Sequence, residues 1–312
     1  MKLLYLLGAV IAVPLAWLIT TIYTIPELAD FHSTAYLKRG EKASFSPLGH
    51  GLYKMQIYWH MTPFHAENLD MYLINEGKAW YLTDAGGFNS WLDPHADRIV
   101  RAVQDTIPSG QSLVYVILTH SHLDHVGAIE PLKEVYPDLK VIVHETEAPF
   151  LIGGDEYSCY DYLPGGLSAG FKLLMTLRFI PPFYQYKIPK RWANIARGES
   201  GDLSKIGVHD LTFTAAPGHC SGHVIYFHKP SGYLLAGDFT DVIQQEDGSY
   251  EIKTMCNSHT CNITQAHETI CRVVHQMSPK LYLPYHDARK SGWTKEELIP
   301  MAEKYSQCSQ RL

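Results

Sequence analysis

Four potential metal ligands stand close together near the middle of the chain: His120, His122, Asp124 and His125. They follow the apolar run 113–118, which is typical of a buried strand. If the backbone stays extended, His120 and His122 point to the same side, so both imidazoles can reach one metal ion. Asp124 and His125 stand where a helix can begin and are directed past that ion. The spacing H-x-H-x-D-H therefore predicts a metal site.

Three further polar side chains follow apolar runs in the second half of the chain. They are His219, Asp238 and His286, and each comes directly or shortly after a run that is typical of a strand. Because neighbouring strand ends in one sheet system can converge on a single edge, we expect these three side chains to join the first four.

Five motifs in this order resemble the metallo-β-lactamase fold superfamily of metal-dependent hydrolases. They are an Asp-x-Gly turn at 84–86, the H-x-H-x-D-H loop at 120–125, a Pro-Gly-His loop at 217–219, a Gly-Asp turn at 237–238 and the strand-end His286. The resemblance extends from about Gly51 to the C-terminus. It implies an α/β fold, specifically a four-layer αβ/βα sandwich, which one hydrophobic helix would precede at the N-terminus.

The resemblance also implies a ligand set for two metal ions. One ion would be held by His120, His122 and His219, the other by Asp124, His125 and His286, and Asp238 would bridge the two. Five imidazoles and two carboxylates suit two zinc ions, although iron and manganese also accept these ligand types. Asp124 is in addition the candidate for moving a proton to the leaving group.

The expected reaction is hydrolysis of an ester, lactone, thioester or amide by a zinc-bound hydroxide, because coordination lowers the pKa of water from about 15.7 to roughly 7. The aromatic segment 150–206 is expected to be an insertion that shapes a pocket for an apolar acyl group. Two alternatives remain open, a mononuclear iron enzyme similar to persulfide dioxygenases and a phosphodiesterase on the same fold. Metal content distinguishes two zinc ions from one iron.

Apolar runs bounded by turn residues predict the elements that position these ligands. Strands are expected at 68–74, 79–83, 113–118, 211–214, 224–227, 233–236 and 281–283, and 93–103 has helical spacing. A tight turn at 75–78 joins the first two strands into a hairpin.

The amino terminus has no charged residue between positions 3 and 25. At about 1.5 Å per residue, a helix of that length crosses a hydrocarbon core of roughly 30 Å. We therefore expect residues 1–26 to form a single-pass membrane anchor, with a secreted protein and a cleaved signal as the alternative. Residues 27–50 are expected to be a linker to a domain at 51–312. The side of the membrane stays open.

Composition limits the partners of the chain. Its 312 residues include 26 Lys and Arg against 32 Asp and Glu, giving a formal charge of −6. This balance disfavours a nucleic-acid partner. The resemblance implies a small-molecule substrate as the partner. The six cysteines contain no C-x-x-C pair, so the sequence gives no support for a zinc ribbon. Pairing of Cys256 with Cys261, glycosylation of Asn262 and the oligomeric state stay open.

Overall fold

The computed structural model describes residues 42–311 apart from 63–64, 91–92, 154–172, 174–175, 177–185, 246, 254–259 and 288–290. The strands are β1 Ser46–Gly49, β2 Leu52–Thr62, β3 His65–Glu76, β4 Ala79–Thr83, β5 Ser112–Ile117, β6 Lys140–His144, β7 Ala193–Ala196, β8 Ser200–Asp202, β9 Leu211–Ala215, β10 Val224–His228, β11 Tyr233–Gly237, β12 Asp241–Gln244, β13 Tyr250–Lys253 and β14 Leu281–Pro284. The α-helices are α1 His95–Thr106, α2 Leu123–Val126, α3 Ile129–Val135, α4 Ala148–Ile152, α5 Ile263–Gln276 and α6 Lys295–Ser306. Short 3₁₀ turns occur at Lys190–Trp192, Ser204–Ile206 and Cys308–Gln310.

The first sheet contains seven strands in chain order, from β1 to β7. Its first four strands are antiparallel, and β4 to β7 run parallel. The predicted hairpin is confirmed, because β3 and β4 pair across a turn in which Gly77 has a φ of 72°. Parallel neighbours need a crossover, and α1 connects β4 to β5 while α2 and α3 connect β5 to β6.

The second sheet contains five strands in the order β14, β11, β10, β9, β8. Its pairs are antiparallel except that β14 lies parallel to β11, with α5 in the connection between them. Strands β12 and β13 form a separate two-stranded sheet. Because β11 and β14 are parallel neighbours, the segments that follow them leave the sheet at the same edge.

Apolar side chains form one core between the two large sheets and one on the outer side of each. Tyr72 of the first sheet and Tyr226 of the second belong to the core between the sheets. Ile99 of α1 packs on the outer side of the first sheet, and Ile270 of α5 packs on the outer side of the second. The expected α/β class is confirmed as a mixed sandwich with several sheets.

Local sequence signals explain where the two C-terminal helices begin. Asn262 precedes α5, and its side chain accepts a hydrogen bond from the backbone N–H of Gln265 at 3.1 Å. Thr294 precedes α6 and forms a capping box with Glu297. Both residues satisfy backbone donors that the first helical turn leaves without partners. These caps fix the two helices that cover the second sheet.

Two boundaries differ from the sequence-based expectation. The first sheet begins with β1, which precedes the expected boundary at Gly51 because its residues pair with β2. The segment 150–206 also supplies core structure, since β7 joins the edge of the first sheet and β8 joins the edge of the second. Residues 154–172, 174–175 and 177–185 of this segment lie outside the described residues, so the acyl pocket expected from it stays a prediction.

The predicted single-pass membrane anchor is wrong. In the part of the chain that the structure describes, no helix combines the length and apolar character that crossing a bilayer requires. The longest described helix, α5, has 14 residues and is therefore about 21 Å long, which is short of a hydrocarbon core of roughly 30 Å. Residues 1–26, on which the prediction was based, lie outside the described residues.

A disulfide that the sequence did not indicate joins Cys271 in α5 to Cys308 just after α6. It ties together the two helices on the outer side of the second sheet. Cys261 is also disulfide-bonded, whereas Cys256, its suggested partner, lies outside the described residues. Cys220 is buried.

Candidate metal centre

The seven residues singled out in the sequence lie together at one edge of the sandwich. His120 and His122 follow β5, Asp124 and His125 lie in α2, and His219 lies between β9 and β10, while Asp238 follows β11 and His286 follows β14. Each of the seven is at most 9% exposed. They form two groups that share Asp238, and within each group the potential ligand atoms lie within 4.8 Å of one another.

The first group brings three imidazoles into mutual contact. The Nε2 atom of His219 lies 3.2 Å from Nε2 of His120 and 2.9 Å from Nδ1 of His122. A tetrahedral zinc ion with Zn–N bonds of about 2.0–2.1 Å separates its ligand atoms by roughly 3.3 Å. The two distances lie close to this separation, so the imidazoles already have the spacing that a tetrahedral ion requires.

The second group combines two imidazoles with a carboxylate. Oδ2 of Asp124 lies 3.3 Å from Nε2 of His125 and 3.3 Å from Nε2 of His286. Burial raises the pKa of Asp124, but His125 and His286 outweigh burial and lower that pKa below its ordinary value. Asp124 is therefore ionised, as a metal-binding carboxylate must be.

Asp238 lies between the two groups. Its Oδ2 atom is 3.7 Å from Nε2 of His120 and 3.5 Å from Nε2 of His219 in the first group. The same oxygen is 3.2 Å from Nε2 of both His125 and His286 in the second group. One buried carboxylate oxygen thus faces four imidazole nitrogens, two from each group.

Asp84 helps to orient His120 and His125 without belonging to either group of potential ligands. Its carboxylate accepts hydrogen bonds from the backbone N–H of Thr119 at 2.9 Å and from the Thr119 hydroxyl at 3.0 Å. It also lies 3.3 Å from Nδ1 of His125, and the Thr119 hydroxyl contacts Nδ1 of His120 at 3.1 Å. Asp84 and Thr119 therefore orient both rings from the side that faces away from the centre.

His286 is oriented by β3, which the sequence did not connect with the site. Its Nδ1 atom donates to the backbone carbonyl of Asn68 at 2.9 Å and lies 3.3 Å from Oε1 of Glu67. Burial lowers the pKa of His286, but Glu67 and Asp238 outweigh burial and raise that pKa above its ordinary value. The Asn68 amide also donates to the carbonyl of Asp287 at 2.6 Å, so β3 holds the backbone next to His286 as well.

The turn before Asp238 is held by His223. The backbone N–H of Asp238 donates to Nε2 of His223 at 3.0 Å. Burial lowers the pKa of His223 to about 4, which keeps its ring neutral and able to accept this hydrogen bond. Gly237 has a φ of 55°, and a β-carbon there would lie 2.6 Å from Nε2 of His223. The Gly-Asp sequence therefore reflects both backbone conformation and close packing.

Tyr285 contacts two residues of α2, Asp124 and His125. Its hydroxyl donates to the backbone carbonyl of Asp124 at 2.6 Å, and its ring centroid lies 4.0 Å from that of His125. Its hydroxyl is buried, which raises its pKa well above the ordinary value and keeps it protonated as a donor. No pattern in the sequence marked Tyr285 beyond its position next to His286.

Comparison with known proteins identifies relatives of this arrangement. The family model described as the metallo-beta-lactamase superfamily matches residues 68–283. The probable metallo-hydrolase YflN of Bacillus subtilis is 30% identical over 174 residues, which cover 56% of this chain and 60% of the relative. The acyl-coenzyme A thioesterase MBLAC2 of Gallus gallus is 26% identical over 208 residues, which cover 62% and 64%. The chain therefore spans less than two thirds of either relative.

A solved structure supports the fold. The metallo-beta-lactamase from Pontibacter korlensis superposes with a TM-score of 0.56 at 13% identity, covering 85% of this chain and 99% of that one. At this identity the similarity concerns the fold alone.

Proposed function

The chain belongs to the metallo-beta-lactamase superfamily, and we propose that it is a metallo-hydrolase that binds two zinc ions. The observation that carries the proposal is the position of Asp238, whose Oδ2 atom lies within 3.7 Å of imidazole nitrogens from both groups. A carboxylate there is suited to bridging two cations. The family relationship is consistent with this arrangement.

We assign the ligands by group. His120, His122 and His219 would hold one ion, Asp124, His125 and His286 would hold the other, and Asp238 would contact both. When bound, two zinc ions supply Lewis acidity to a substrate oxygen and lower the pKa of a coordinating water to roughly 7. Seven buried nitrogen and oxygen ligands without a thiolate fit zinc well.

The chain itself would orient these ligands and handle protons. Asp84, Asn68 and neutral His223 hold ligand segments from outside the two groups. Asp124 is the proposed proton carrier to the leaving group, because its carboxylate is part of the centre and its Oδ2 atom lies 3.3 Å from Nε2 of both His125 and His286. In that role it would accept a proton during attack and release it to the departing atom.

We propose an ester, lactone, thioester or amide with an apolar acyl group as the substrate. Thioesters come first, because the name of one relative describes an acyl-coenzyme A thioesterase. The segment 150–206 would form part of the pocket that binds the acyl group. Tyr186 of this segment packs against Phe88, with ring centroids 5.1 Å apart. The backbone of Phe88 lies next to Gly127, which directly follows α2.

A mononuclear iron enzyme is less well supported. Such a centre needs one group of ligands, whereas Asp124, His125 and His286 make up a second complete group with Asp238. A phosphodiesterase acting on a polyanion is also disfavoured by the formal charge of −6.

The test is a hydrolysis assay on the purified full chain after reconstitution with zinc. The panel contains lactones, thioesters, esters, amides, β-lactams and phosphodiesters. His144→Gln is the matched control, because His144 is buried outside both groups and contacts the backbone carbonyl of Gly198. His286→Gln should abolish turnover, while His144→Gln should retain most of it.

The proposed acyl pocket can be tested separately by varying the length of the acyl chain in the substrate. Burying one methylene contributes about 0.8 kcal/mol, so kcat/KM should rise up to roughly fourfold per added methylene until the pocket is filled. Zinc-dependent turnover of phosphodiesters alone would contradict the proposed reaction. Carbonyl hydrolysis that is independent of acyl length would contradict the apolar pocket only.

A further inference from the structure

A buried carboxylate that belongs to neither metal group connects two of the ligand loops. Glu147 directly precedes α4 and is 0% exposed. Its Oε2 atom accepts hydrogen bonds from the backbone N–H of Ser121 at 3.1 Å and from the Ser121 hydroxyl at 2.6 Å. Its Oε1 atom accepts a hydrogen bond from the backbone N–H of Gly222 at 3.1 Å. Both oxygens are therefore committed to these two loops.

The two partners of Glu147 flank the imidazoles of the first group. Ser121 stands between His120 and His122 in the chain. Gly222 lies three residues after His219 and belongs to the same loop between β9 and β10. One carboxylate therefore joins the segment that carries two of these imidazoles to the loop that carries the third.

Glycine is required at position 222 for this contact. A β-carbon on Gly222 would lie 2.7 Å from Cγ and 2.9 Å from Oε1 of Glu147. It would also lie 2.8 Å from the backbone nitrogen of the same residue, which cannot rotate away. The loop can approach the carboxylate this closely only because no side chain intervenes.

We propose that Glu147 is a positioning residue that sets the spacing of His120, His122 and His219 and thereby determines the metal affinity of the first group. This proposal rests on the proposed function, because it assumes that these imidazoles bind a metal ion. Glu147 belongs to neither group of potential ligands. It acts through the two loops, in the way that partners outside the ligand set tune other metal sites.

The direct test is Glu147→Gln in the full chain. The amide preserves size, but it replaces one accepting oxygen with an NH₂ group that faces a backbone or hydroxyl donor. Loss of such an outer partner weakens metal binding by about 10- to 100-fold in comparable sites. We expect that loss for one of two zinc ions, measured by competition with a chromophoric chelator, while the second ion keeps its affinity.

Glu145→Gln is the matched control on the same loop. Glu145 is two residues away, and its carboxylate pairs with Arg197 at 3.1 Å and accepts a hydrogen bond from Gly198 at 2.8 Å. It lacks a contact with either ligand loop among the hydrogen bonds of the described residues. Glu145→Gln should therefore bind both ions with the affinity of the wild type.

Two further measurements separate positioning from simple stabilisation. Cobalt(II) substitution should give a changed visible spectrum for Glu147→Gln and an unchanged one for Glu145→Gln. Ser121→Ala removes one of the three hydrogen bonds and should lower the affinity for the same zinc ion several-fold. This variant keeps the test available if Glu147→Gln does not fold. The Ser121 backbone donor remains in that variant.

The outcomes are distinct. If folded Glu147→Gln binds both zinc ions with wild-type affinity and gives the wild-type cobalt spectrum, the positioning role is overturned. This holds even if the thermal stability of the variant is lower. For the same reason, an unchanged metal affinity in Ser121→Ala would count against it. A wild-type protein that binds no metal would instead contradict the proposed function.

Discussion

Replacing Gly237 by alanine should destabilise the protein because two separate costs coincide at this position. The φ of 55° places the residue in the left-handed region, where a non-glycine residue costs about 1–2 kcal/mol. A β-carbon would also lie 2.6 Å from Nε2 of His223 and 2.9 Å from Cβ of Thr119. Overpacking of this kind costs about 1–3 kcal/mol. The free energy of unfolding should therefore fall by about 2–5 kcal/mol.

Gly77 provides the matched control for this prediction. It has a φ of 72°, and a β-carbon there would meet no atom within 4 Å. Gly77→Ala should therefore lose only the backbone contribution of about 1–2 kcal/mol. Urea unfolding of the metal-free proteins measures both variants, and metal-free conditions keep metal binding out of the comparison. Equal losses in Gly77→Ala and Gly237→Ala would refute the packing argument around the Gly-Asp turn.

Three further changes have expected outcomes in the same unfolding assay. Tyr285→Phe leaves the buried carbonyl of Asp124 without its donor at 2.6 Å and should cost about 1–3 kcal/mol. Removing the Cys271–Cys308 disulfide, with its sequence separation of 37, should cost about 4 kcal/mol, and a loss of less than about 1 kcal/mol would contradict this assignment. Burial lowers the pKa of His228 from 6.5 to about 4, so the unfolded state binds more protons between these values and stability should fall as pH drops across them. His228→Gln should remove about 3 kcal/mol of that pH dependence, and an unchanged slope between pH 7 and 4 would contradict this assignment.

The convergence of the seven site residues could be predicted from the sequence because local patterns encode it. Each residue follows an apolar run, and a strand that ends in a polar loop presents that loop at the sheet edge. The meeting of Asp238 and His286 follows from the parallel pairing of β11 and β14. The sequence therefore predicted which residues come together, but the distances between them depend on tertiary packing.

The residues that support the site could not be predicted in this way. Glu147 and Asn68 are single polar residues without a recognisable motif, and each acts through a contact with a distant segment. Cys271 and Cys308 likewise pair because α5 and the end of α6 meet on the outer side of the second sheet. Such contacts are set by the packing of whole elements, which the local sequence does not specify.

Short edge strands were missed for a related reason. β1 and β7 have four residues each and β8 has three, which is too short to show a clear alternation of polar and apolar side chains. Their extended conformation depends on pairing with a longer neighbour, such as β9 for β8. The uncharged amino terminus shows the opposite case, because a strong local pattern predicted a membrane anchor that the described helices do not support.

The number of zinc ions per chain tests the central claim most directly. The purified full chain should be reconstituted with excess zinc, freed of unbound metal and measured by mass spectrometry of the metal together with protein concentration. We predict two ions per chain for the wild type and one or none for Asp238→Ala, because Asp238 belongs to both groups. A wild type that binds no zinc, or an Asp238→Ala protein that keeps both ions with unchanged affinity, would contradict the account.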